Sequence, residues 1–263
     1  MGDILLNYDS VEISFNGTPV VHNISFSLRP GEILGLVGES GSGKSTLIKA
    51  AMGLLGDNGL VTRGDITYKG KNLVDMSEHE LRSIRGAEIG MIFQDAGASL
   101  CPIRTIGSQV YESMKAHGKI TRADAKMRAM ELLSKLNFKE PEQVWDSYPF
   151  EMSGGMNQRV CIAISMLMNP PVLLADEPTS ALDVAVQRQV VQEMLHVREF
   201  FGTAIIIVTH DIGVVSAMAD TVLVLKDGNK MEYGPAKEVL EHPQNIYTKE
   251  LLSAVPKLRR SQN

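Results

Sequence analysis

Cysteine is scarce in this 263-residue chain, in which Cys101 and Cys161 are the only two. One pair in a chain of this size does not build a disulfide framework, and a reducing cytosol is the simplest setting for it. Long apolar runs are also missing, because stretches such as 204–208 fall far short of the roughly 20 residues that cross a bilayer. Residues 1–6 carry Asp3 and no basic region, unlike a secretory signal peptide. We therefore expect a protein that meets a membrane only through a partner.

An excess of positive charge is missing as well. The formal net charge is -5, which argues against a broad basic face for nucleic acid. Hydrophobic residues make up 44% and charged residues 22%, so the composition indicates neither disorder nor a fibrous repeat. A chain of this length buries roughly three-quarters of its unfolded surface. These values predict one well-packed domain, with or without a subdomain.

The first third of the chain has the pattern of two sheets. Residues 11–15 alternate between apolar and polar positions and run into Asn16 and Gly17, a dipeptide that favours a tight hairpin turn. A second hairpin is predicted around residues 66–70. The nearly continuous apolar run at 33–37 is typical of a strand buried on both faces. The sequence therefore predicts an antiparallel sheet next to a parallel core.

The rest of the chain alternates between helix and buried strand. Between residues 105 and 168 the apolar residues recur at helical spacing, with no convincing strand. Residues 172–175 and 204–208 are then predicted to be buried strands separated by a helix at 184–201, the alternation that builds a parallel sheet with crossover helices. A late hairpin is predicted at 227–228. The pattern as a whole predicts an α/β core interrupted by a helical insert.

A glycine-rich loop joins the strand at 33–37 to an apolar helix predicted at 47–55. The loop fits the pattern G-x-x-x-x-G-K-S/T, whose glycines let backbone N–H groups surround phosphate oxygens while the helix N-terminus adds its positive dipole end. We expect Lys44 to reach the β and γ phosphates of a nucleotide and the hydroxyl of Ser45 to bind Mg²⁺. The predicted nucleotide-binding residues are Gly38, Ser40, Gly41, Ser42, Gly43, Lys44, Ser45 and Thr46. The alternative is a chance match to this pattern, whose probability is on the order of one per cent per chain.

Two acids follow the predicted strand at 172–175. Asp176 and Glu177 are therefore expected at the carboxyl edge of the parallel sheet, beside the phosphate loop. At that edge Asp176 would bind Mg²⁺ directly or through water, and Glu177 would polarise an attacking water as general base. The alternative for this segment taken alone is an acidic turn that caps the next helix.

A second candidate anion site lies near the end of the helical insert. Ser153, Gly154 and Gly155 precede a helix that runs toward Met168, and they would leave free backbone N–H donors at its start. The segment 152–159 resembles the signature motif of ABC ATPases, usually written L-S-G-G-Q. The resemblance implies that the signature of one subunit closes on the γ-phosphate held by another, so that two ATP molecules are buried at a dimer interface.

Other positions are similar to landmarks of the ABC ATPases, in the same order along the chain. Gln94 matches the glutamine that reaches Mg²⁺ and the attacking water, and residues 180–183 match the D-loop. His210 matches the histidine that contacts the γ-phosphate, and Phe15 stands where an aromatic ring stacks on adenine. The resemblance thus implies that Glu177, His210, Gln94 and Lys44 act in catalysis and that Ser45, Gln94 and Asp176 hold Mg²⁺.

Within that family the chain is most similar to the ATP-binding subunits of bacterial dipeptide, oligopeptide and nickel importers. The similarity rests on Met156 in place of the signature glutamine, on the turn at 99–102 and on the tail motif at 242–256. Ala96 and Cys101 depart from the group, which commonly has proline and asparagine there, in a loop expected to face the membrane subunit. Many peptide-importing relatives continue into a cysteine-rich extension. This sequence has no such extension, and that difference favours a short, nickel-type subunit.

The resemblance covers essentially the whole chain and implies one ABC ATPase domain over residues 1–263. Residues 1–94 and 166–235 would form the nucleotide-binding core with its antiparallel β subdomain. Residues 95–165 would form an α-helical signature subdomain, and residues 236–263 a C-terminal helical tail. The implied fold class is α/β, a P-loop NTPase with a RecA-like parallel core, an N-terminal antiparallel β subdomain and an inserted α-helical subdomain.

The implied function is to bind and hydrolyse ATP for an importer of di- or oligopeptides or of nickel. The implied cofactors are ATP and Mg²⁺. The implied partners are a second ABC ATPase subunit, identical or different, two transmembrane permease subunits and an extracytoplasmic solute-binding protein, with no nucleic acid. Such a subunit lies peripherally at the cytoplasmic face of the cell membrane. The alternative is a soluble ABC-type ATPase that acts on nucleic acid or ribosomes, against which a single cassette, the lack of extended heptads and the acidic balance argue.

Overall fold

The computed structural model of the chain describes residues 3–180 and 182–254. Its strands are β1 (Leu6–Phe15), β2 (Thr18–Leu28), β3 (Ile33–Val37), β4 (Gly59–Tyr68), β5 (Lys71–Asn72), β6 (Ile89–Ile92), β7 (Val172–Asp176), β8 (Ala204–Thr209), β9 (Thr221–Lys226) and β10 (Asn229–Pro235). Its α-helices are α1 (Lys44–Ala51), α2 (Glu78–Ile84), α3 (Ala96–Ser99), α4 (Ile106–Ala116), α5 (Arg122–Lys135), α6 (Pro141–Asp146), α7 (Gly154–Ser165), α8 (Val184–Phe201), α9 (Ile212–Met218), α10 (Ala236–Glu241) and α11 (Ile246–Ser253). A 3₁₀ turn at Pro149–Glu151 precedes α7.

The N-terminal strands form an antiparallel sheet in the order β2-β1-β4-β5. β1 and β2 pair across Asn16 and Gly17, whose φ angles of 50° and 78° fit a tight hairpin turn, as the sequence predicts. The second predicted hairpin joins β4 to β5 across Lys69 and Gly70. One face of this sheet packs apolar side chains such as Ile13 into a core shared with α1 and β3. The antiparallel sheet therefore lies against the helix that follows the phosphate loop.

A six-stranded sheet in the order β10-β9-β3-β8-β7-β6 forms the centre of the molecule. β9, β3, β8, β7 and β6 are parallel, and β10 pairs antiparallel at the edge. Every residue of β3, β7 and β8 is buried, which explains why these segments are uninterrupted apolar runs. The predicted α/β class, with an antiparallel subdomain and a helical insert, is confirmed.

The helix after the phosphate loop begins and ends earlier than predicted. The sequence places it at 47–55, whereas α1 begins at Lys44 and ends at Ala51. Gly43 has a φ of 95°, a left-handed conformation that turns the loop directly into the first helical turn. Gly53 has a φ of 60°, so the chain turns away just after α1. The apolar residues beyond Ala51 therefore pack outside the helix.

The insert between β6 and β7 contains α3 to α7, and the part of the chain described there has no strand. Thr121 caps α5 by accepting a hydrogen bond from the backbone N–H of Asp124 at 3.1 Å, as its position suggests. Trp145 fills the interior of the insert and lies against α4, where a Cβ on Gly107 would stand 2.3 Å from the indole ring. The apolar side chains of the insert therefore belong to one core cluster with those of the central sheet and α8.

The C-terminal segment packs against the β9–β10 side of the central sheet. Tyr247 of α11 joins Val37, Val222 and Val224 in one apolar cluster. The part of the tail motif that includes Val255 and Pro256 lies outside the described residues. Within the described residues, none of the helices combines the length and the apolar composition that a membrane crossing needs.

Candidate functional site

The phosphate loop leaves the carboxyl end of β3 and enters α1. Gly38 has a φ of 152°, and a Cβ there would stand 2.1 Å from the carbonyl oxygen of Leu225. A Cβ on Gly43 would stand 2.9 Å from Cγ2 of Val21. Glycine is therefore required at both positions by close approach of neighbouring strands, β9 on one side and β2 on the other. The fold encloses the loop from two directions.

Lys44 turns its side chain back into this loop. Its ammonium donates hydrogen bonds to the carbonyl oxygens of Gly38 at 2.8 Å and Glu39 at 2.7 Å. Burial lowers the pKa of Lys44, and the nearby carboxylates of Glu177, Asp176 and Glu39 act in the opposite direction. A largely buried cation is thus held within the concave side of the loop.

The side-chain oxygens of Ser45 and Asp176 lie close to Lys44. The hydroxyl of Ser45, in the first turn of α1, donates a hydrogen bond of 2.5 Å to Oδ1 of Asp176, the last residue of β7. Nζ of Lys49 lies 3.7 Å from Oδ2 of the same carboxylate. Hydroxyl and carboxylate oxygens are ligands that Mg²⁺ prefers, and it takes its other ligands from phosphates and water. Ser45 and Asp176 therefore suit a metal that arrives with a nucleotide.

Glu177 is held in an unusual backbone conformation directly after β7. Its φ is 45°, a left-handed value that costs a residue with a side chain about 1–2 kcal/mol. Its N–H donates to the carbonyl of Val208, and its own carbonyl accepts from the hydroxyl of Ser180 at 2.9 Å. These bonds fix the backbone and direct the carboxylate toward the edge of the sheet.

Two further side chains converge on the carboxylate of Glu177. Nε2 of Gln94, two residues after β6, donates to Oε2 at 3.4 Å. Nδ1 of His210, which follows β8, lies 3.4 Å from Oε1. The imidazole of His210 is 64% exposed, whereas the Glu177 side chain is only 18% exposed. A half-buried carboxylate thus stands between an amide and an imidazole that both face an open edge.

The parallel topology explains this meeting of distant residues. β3, β6, β7 and β8 run in the same direction, so their carboxyl ends share one edge of the sheet. The structure brings together at that edge six of the predicted site residues, Lys44, Ser45, Gln94, Asp176, Glu177 and His210.

The serine–glycine turn, defined as residues 153–155, lies apart from this group. Ser153 caps α7, and its Oγ accepts the backbone N–H of Met156 at 3.3 Å. Ser153 and Gly154 are exposed, and a Cβ on Gly154 would meet no atom within 4 Å. Gly155 instead packs on α8, where a Cβ would stand 2.4 Å from Cγ1 of Val186. Among the described residues no hydrogen bond or ion pair joins the turn to the phosphate loop.

The predicted adenine-stacking residue and the predicted D-loop lie at other places in the structure. Phe15 is half-buried at the end of β1, beside Gly59 of β4, and its ring packs on the core under the antiparallel sheet. Asp183 of the predicted D-loop caps α8, and Ser180 contacts the backbone of Glu177. Ala181 lies outside the described residues. The adenine and D-loop roles stay predictions.

Sequence reasoning missed three residues that touch the site. Lys49 faces Asp176, Gly228 donates its N–H to the carbonyl of Ser42 at 3.2 Å, and the hydroxyl of Tyr247 accepts the N–H of Glu39 at 3.2 Å. Lys49 lies one turn after Ser45 on α1, so helical spacing was a usable signal. Gly228 and Tyr247 come from the far end of the chain, where only tertiary packing brings them in.

A parallel sheet with a G-x-x-x-x-G-K-S loop, and with two acids at the end of a neighbouring strand, defines the class of P-loop nucleoside triphosphatases. Residues 21–180 match the family described as ABC transporter. The chain therefore belongs to the ABC transporter family, and it is an ATP-binding, ATP-hydrolysing subunit of the kind that energises transport.

Curated relatives are similar over nearly the whole chain. A probable peptide ABC transporter ATP-binding protein, y4tR of Sinorhizobium fredii, is 39% identical over 98% of this chain and 78% of its own length. The oligopeptide transport ATP-binding protein OppD of Escherichia coli is 43% identical over 97% of this chain and 77% of its own length. The predicted resemblance to this family is confirmed, and the nucleic-acid alternative is not favoured.

Solved structures give the same assignment. The ATP-binding cassette MJ0796, solved as a dimer in a post-hydrolysis state bound to ADP and Pi, has a TM-score of 0.76 and 28% identity over 88% of this chain and 99% of its own. CbiO1 of Clostridium perfringens, part of the ABC transporter complex CbiONQ, has a TM-score of 0.79 and 27% identity over 97% of this chain and 96% of its own.

Proposed function

We propose that this chain energises an importer of di- or oligopeptides. The observation that carries the cargo class is the similarity over nearly the whole chain to y4tR and OppD, a probable peptide and an oligopeptide transport ATP-binding protein. The chain would work at the cytoplasmic face of the membrane with a second ABC ATPase subunit, two permease subunits and an extracytoplasmic solute-binding protein. Phe93 and Ile103, which are 44% and 82% exposed, lie on or near the insert and offer apolar surface to a permease.

The phosphate loop and the sheet edge would supply the chemistry. Backbone N–H groups of residues 38–46 surround the phosphates, and the Lys44 ammonium moves from its loop carbonyls to the β and γ phosphate oxygens. Ser45, Asp176 and Gln94 would hold Mg²⁺, which would supply positive charge to stabilise the transferred phosphoryl group. The fit rests on the 2.5 Å contact between Ser45 and Asp176 and on Gly38 and Gly43, where a Cβ would clash with neighbouring strands.

Glu177 would act as general base. Its carboxylate accepts the proton of a water that Gln94 helps to position, and His210 stabilises charge on the γ-phosphate. The left-handed backbone of Glu177 and its two flanking side chains keep the carboxylate in place before a nucleotide arrives.

The serine–glycine turn would complete the site of a second subunit. Its exposed N-terminal position on α7 and its separation from the phosphate loop of its own chain leave it available to a phosphate held by a partner. Residues 95–165 would form a subdomain that carries the motion to the permeases, because this segment links Gln94 to Ser153. Residues 1–94 and 166–235 would form the core, and 236–263 the tail.

ATP turnover of Glu177→Gln tests the proposed chemistry. Loss of the base is expected to lower turnover on the order of 100- to 1000-fold while ATP binding persists and a closed dimer accumulates. Glu199→Gln is the matched control, because Glu199 is exposed on α8 away from the site. Turnover of Glu177→Gln equal to that of the control would remove Glu177 from the mechanism.

Uptake by cells that lack the gene tests the cargo. We expect such cells to lose uptake of labelled di- or oligopeptides and to recover it when the wild-type gene is supplied, but not when the gene encodes Glu177→Gln. Intact peptide uptake together with lost uptake of labelled Ni²⁺ would replace the peptide proposal by a nickel importer.

A further inference from the structure

The C-terminal helix α11 touches the phosphate loop through the hydroxyl of Tyr247. The hydroxyl of Tyr247 accepts a hydrogen bond of 3.2 Å from the backbone N–H of Glu39, across 208 residues of sequence. Tyr247 is only 7% exposed, and its ring packs on Val37 and Val224 beneath the loop. Nζ of Lys226 stands 4.6 Å from the centre of that ring. The tail thus reaches the site with a buried, oriented side chain.

Glu39 connects this contact to the phosphate-binding lysine. The carbonyl oxygen of Glu39 accepts a hydrogen bond of 2.7 Å from the Lys44 ammonium, and its N–H donates to the hydroxyl of Tyr247. Glu39 therefore contacts both side chains. The other half of the loop is fastened in a similar way, because the N–H of Gly228 donates to the carbonyl of Ser42 at 3.2 Å. Glu39 near the start of the loop and Ser42 in its middle are therefore each joined by a hydrogen bond to the C-terminal part of the chain.

The start of α11 is itself fixed to the central sheet. The carboxylate of Glu232 on β10 accepts the backbone N–H groups of Gln244 at 2.9 Å and Asn245 at 3.2 Å. The side chain of Asn245 donates to the carbonyl of Met231 at 3.1 Å and caps α11 by accepting the N–H of Tyr247 at 2.8 Å. The position of the Tyr247 hydroxyl is thus set by the sheet that carries the site.

We propose that Tyr247 is a positioning residue for ATP binding, and that the segment 242–253 acts as a strap that holds the phosphate loop in its phosphate-binding shape. This inference rests on the proposed function of the loop. By fixing Glu39 before a nucleotide binds, the strap lowers the entropy that the loop loses on binding. Loss of one neutral hydrogen bond of this kind is expected to weaken ATP binding about three- to tenfold.

Tyr247→Phe tests the role, because it removes the hydroxyl and keeps the buried ring. In the full-length chain we expect the ATP dissociation constant and the KM for ATP to rise about three- to tenfold, with kcat within about twofold of wild type. Tyr233→Phe is the matched control, since Tyr233 is on β10 and its hydroxyl lies 3.5 Å from the carbonyl of Ser27, away from the loop. A thermal melt of both variants separates loss of stability from loss of affinity.

Glu232→Ala gives a second route to the same contact. This change removes the acceptor that fixes the start of α11 and leaves Tyr247 and the loop intact. We expect it to raise the ATP dissociation constant as well, and to add little when combined with Tyr247→Phe, because both act through the same hydrogen bond. Full additivity of the two changes would overturn the strap.

The outcomes separate this inference from the function on which it rests. Wild-type protein that fails to bind ATP would refute the proposed function and the strap together. Wild-type protein that binds ATP, with a Tyr247→Phe affinity equal to that of Tyr233→Phe, would refute the strap alone.

Discussion

The phosphate loop at 38–45 and the serine–glycine turn at 153–155 are both short glycine-rich segments that lead into a helix, but their surroundings differ. The loop is enclosed by β2, by β9 and by the side chain of Tyr247. Ser153 and Gly154 of the turn are exposed, and a Cβ on Gly154 would meet no atom within 4 Å. One segment is therefore completed by its own chain, and the other has a free face on which a second chain can fit.

The two regions are also held in place by different forces. The loop is fixed mainly by hydrogen bonds to its backbone, from Gly228, from Lys44 and to Tyr247. The helix α7 behind the turn is fixed by a buried ion pair between Arg159 and Glu193, whose side chains are 8% and 4% exposed. Backbone fixation preforms a phosphate cradle, whereas the ion pair anchors a whole helix and leaves its first residues free.

Lys44→Met is the change that should damage the enclosed region most. It removes the loop's buried cation and retains most of its volume, so two charge-assisted contacts to phosphate are lost. We expect the ATP dissociation constant, measured by calorimetry, to rise on the order of 1000-fold. Lys237→Met, on the exposed side of α10, is the control and should leave binding unchanged. A Lys44→Met affinity within tenfold of the control would mean that the backbone alone holds the nucleotide.

Arg159→Met should destabilise the packing of α7, the helix that begins at the exposed turn, against α8. Removing Arg159 leaves the buried carboxyl of Glu193 without its partner, and the loss of one side of a buried ion pair costs about 3–5 kcal/mol of stability. The guanidinium also donates to the carbonyl of Leu136 at 3.0 Å and lies over the ring of Phe138. Urea unfolding of Arg159→Met and of Arg159→Met with Glu193→Leu measures the cost, and the double variant should recover most of it. A single variant as stable as wild type would contradict an anchoring role for the pair.

Gly154→Asp tests the free face of the turn directly. The isolated chain has room for the side chain, but in a closed dimer the carboxylate would meet the phosphates held by the partner. We expect hydrolysis to fall about 100-fold, while ATP binding to the isolated chain and its melting temperature stay near wild type. Gly118→Asp, at another position of the insert with no atom within 4 Å of a Cβ, is the control. Normal hydrolysis by Gly154→Asp would show that the turn faces no phosphate.

The difference between the regions also explains what could be predicted from the sequence. The phosphate loop is a local motif, since its glycines, Lys44 and Ser45 lie within eight residues between a buried strand and a helix. Asp176 and Glu177 could be placed beside it because parallel strands put their carboxyl ends at one edge. Short-range pattern and sheet topology were therefore sufficient to predict the grouping at this edge.

Contacts between distant segments could not be predicted in the same way. Tyr247 meets Glu39 only because α11 packs on the β9–β10 side of the sheet, and nothing in the local pattern of either residue indicates the other. Arg159 and Glu193 belong to two helices whose charged residues are ordinarily exposed, so their burial depends on the docking of α7 against α8. Helix ends, such as those of α1, depended on the backbone conformation of single glycines.

The smallest effect concerns the backbone of Glu177, which is left-handed with φ of 45°. Glu177→Ala and Glu177→Gly both remove the carboxylate and its contacts, so they differ only in a Cβ that this conformation disfavours. We expect the glycine variant to be more stable by about 1 kcal/mol, or to melt about 2–4 °C higher, while both are inactive. Gln192→Ala and Gln192→Gly are the matched control pair, because Gln192 is exposed in the middle of α8. There the glycine variant should be the less stable one, because glycine destabilises a helix relative to alanine by about 1 kcal/mol. Equal melting temperatures for the two Glu177 variants would show that the edge of the sheet holds residue 177 without backbone strain.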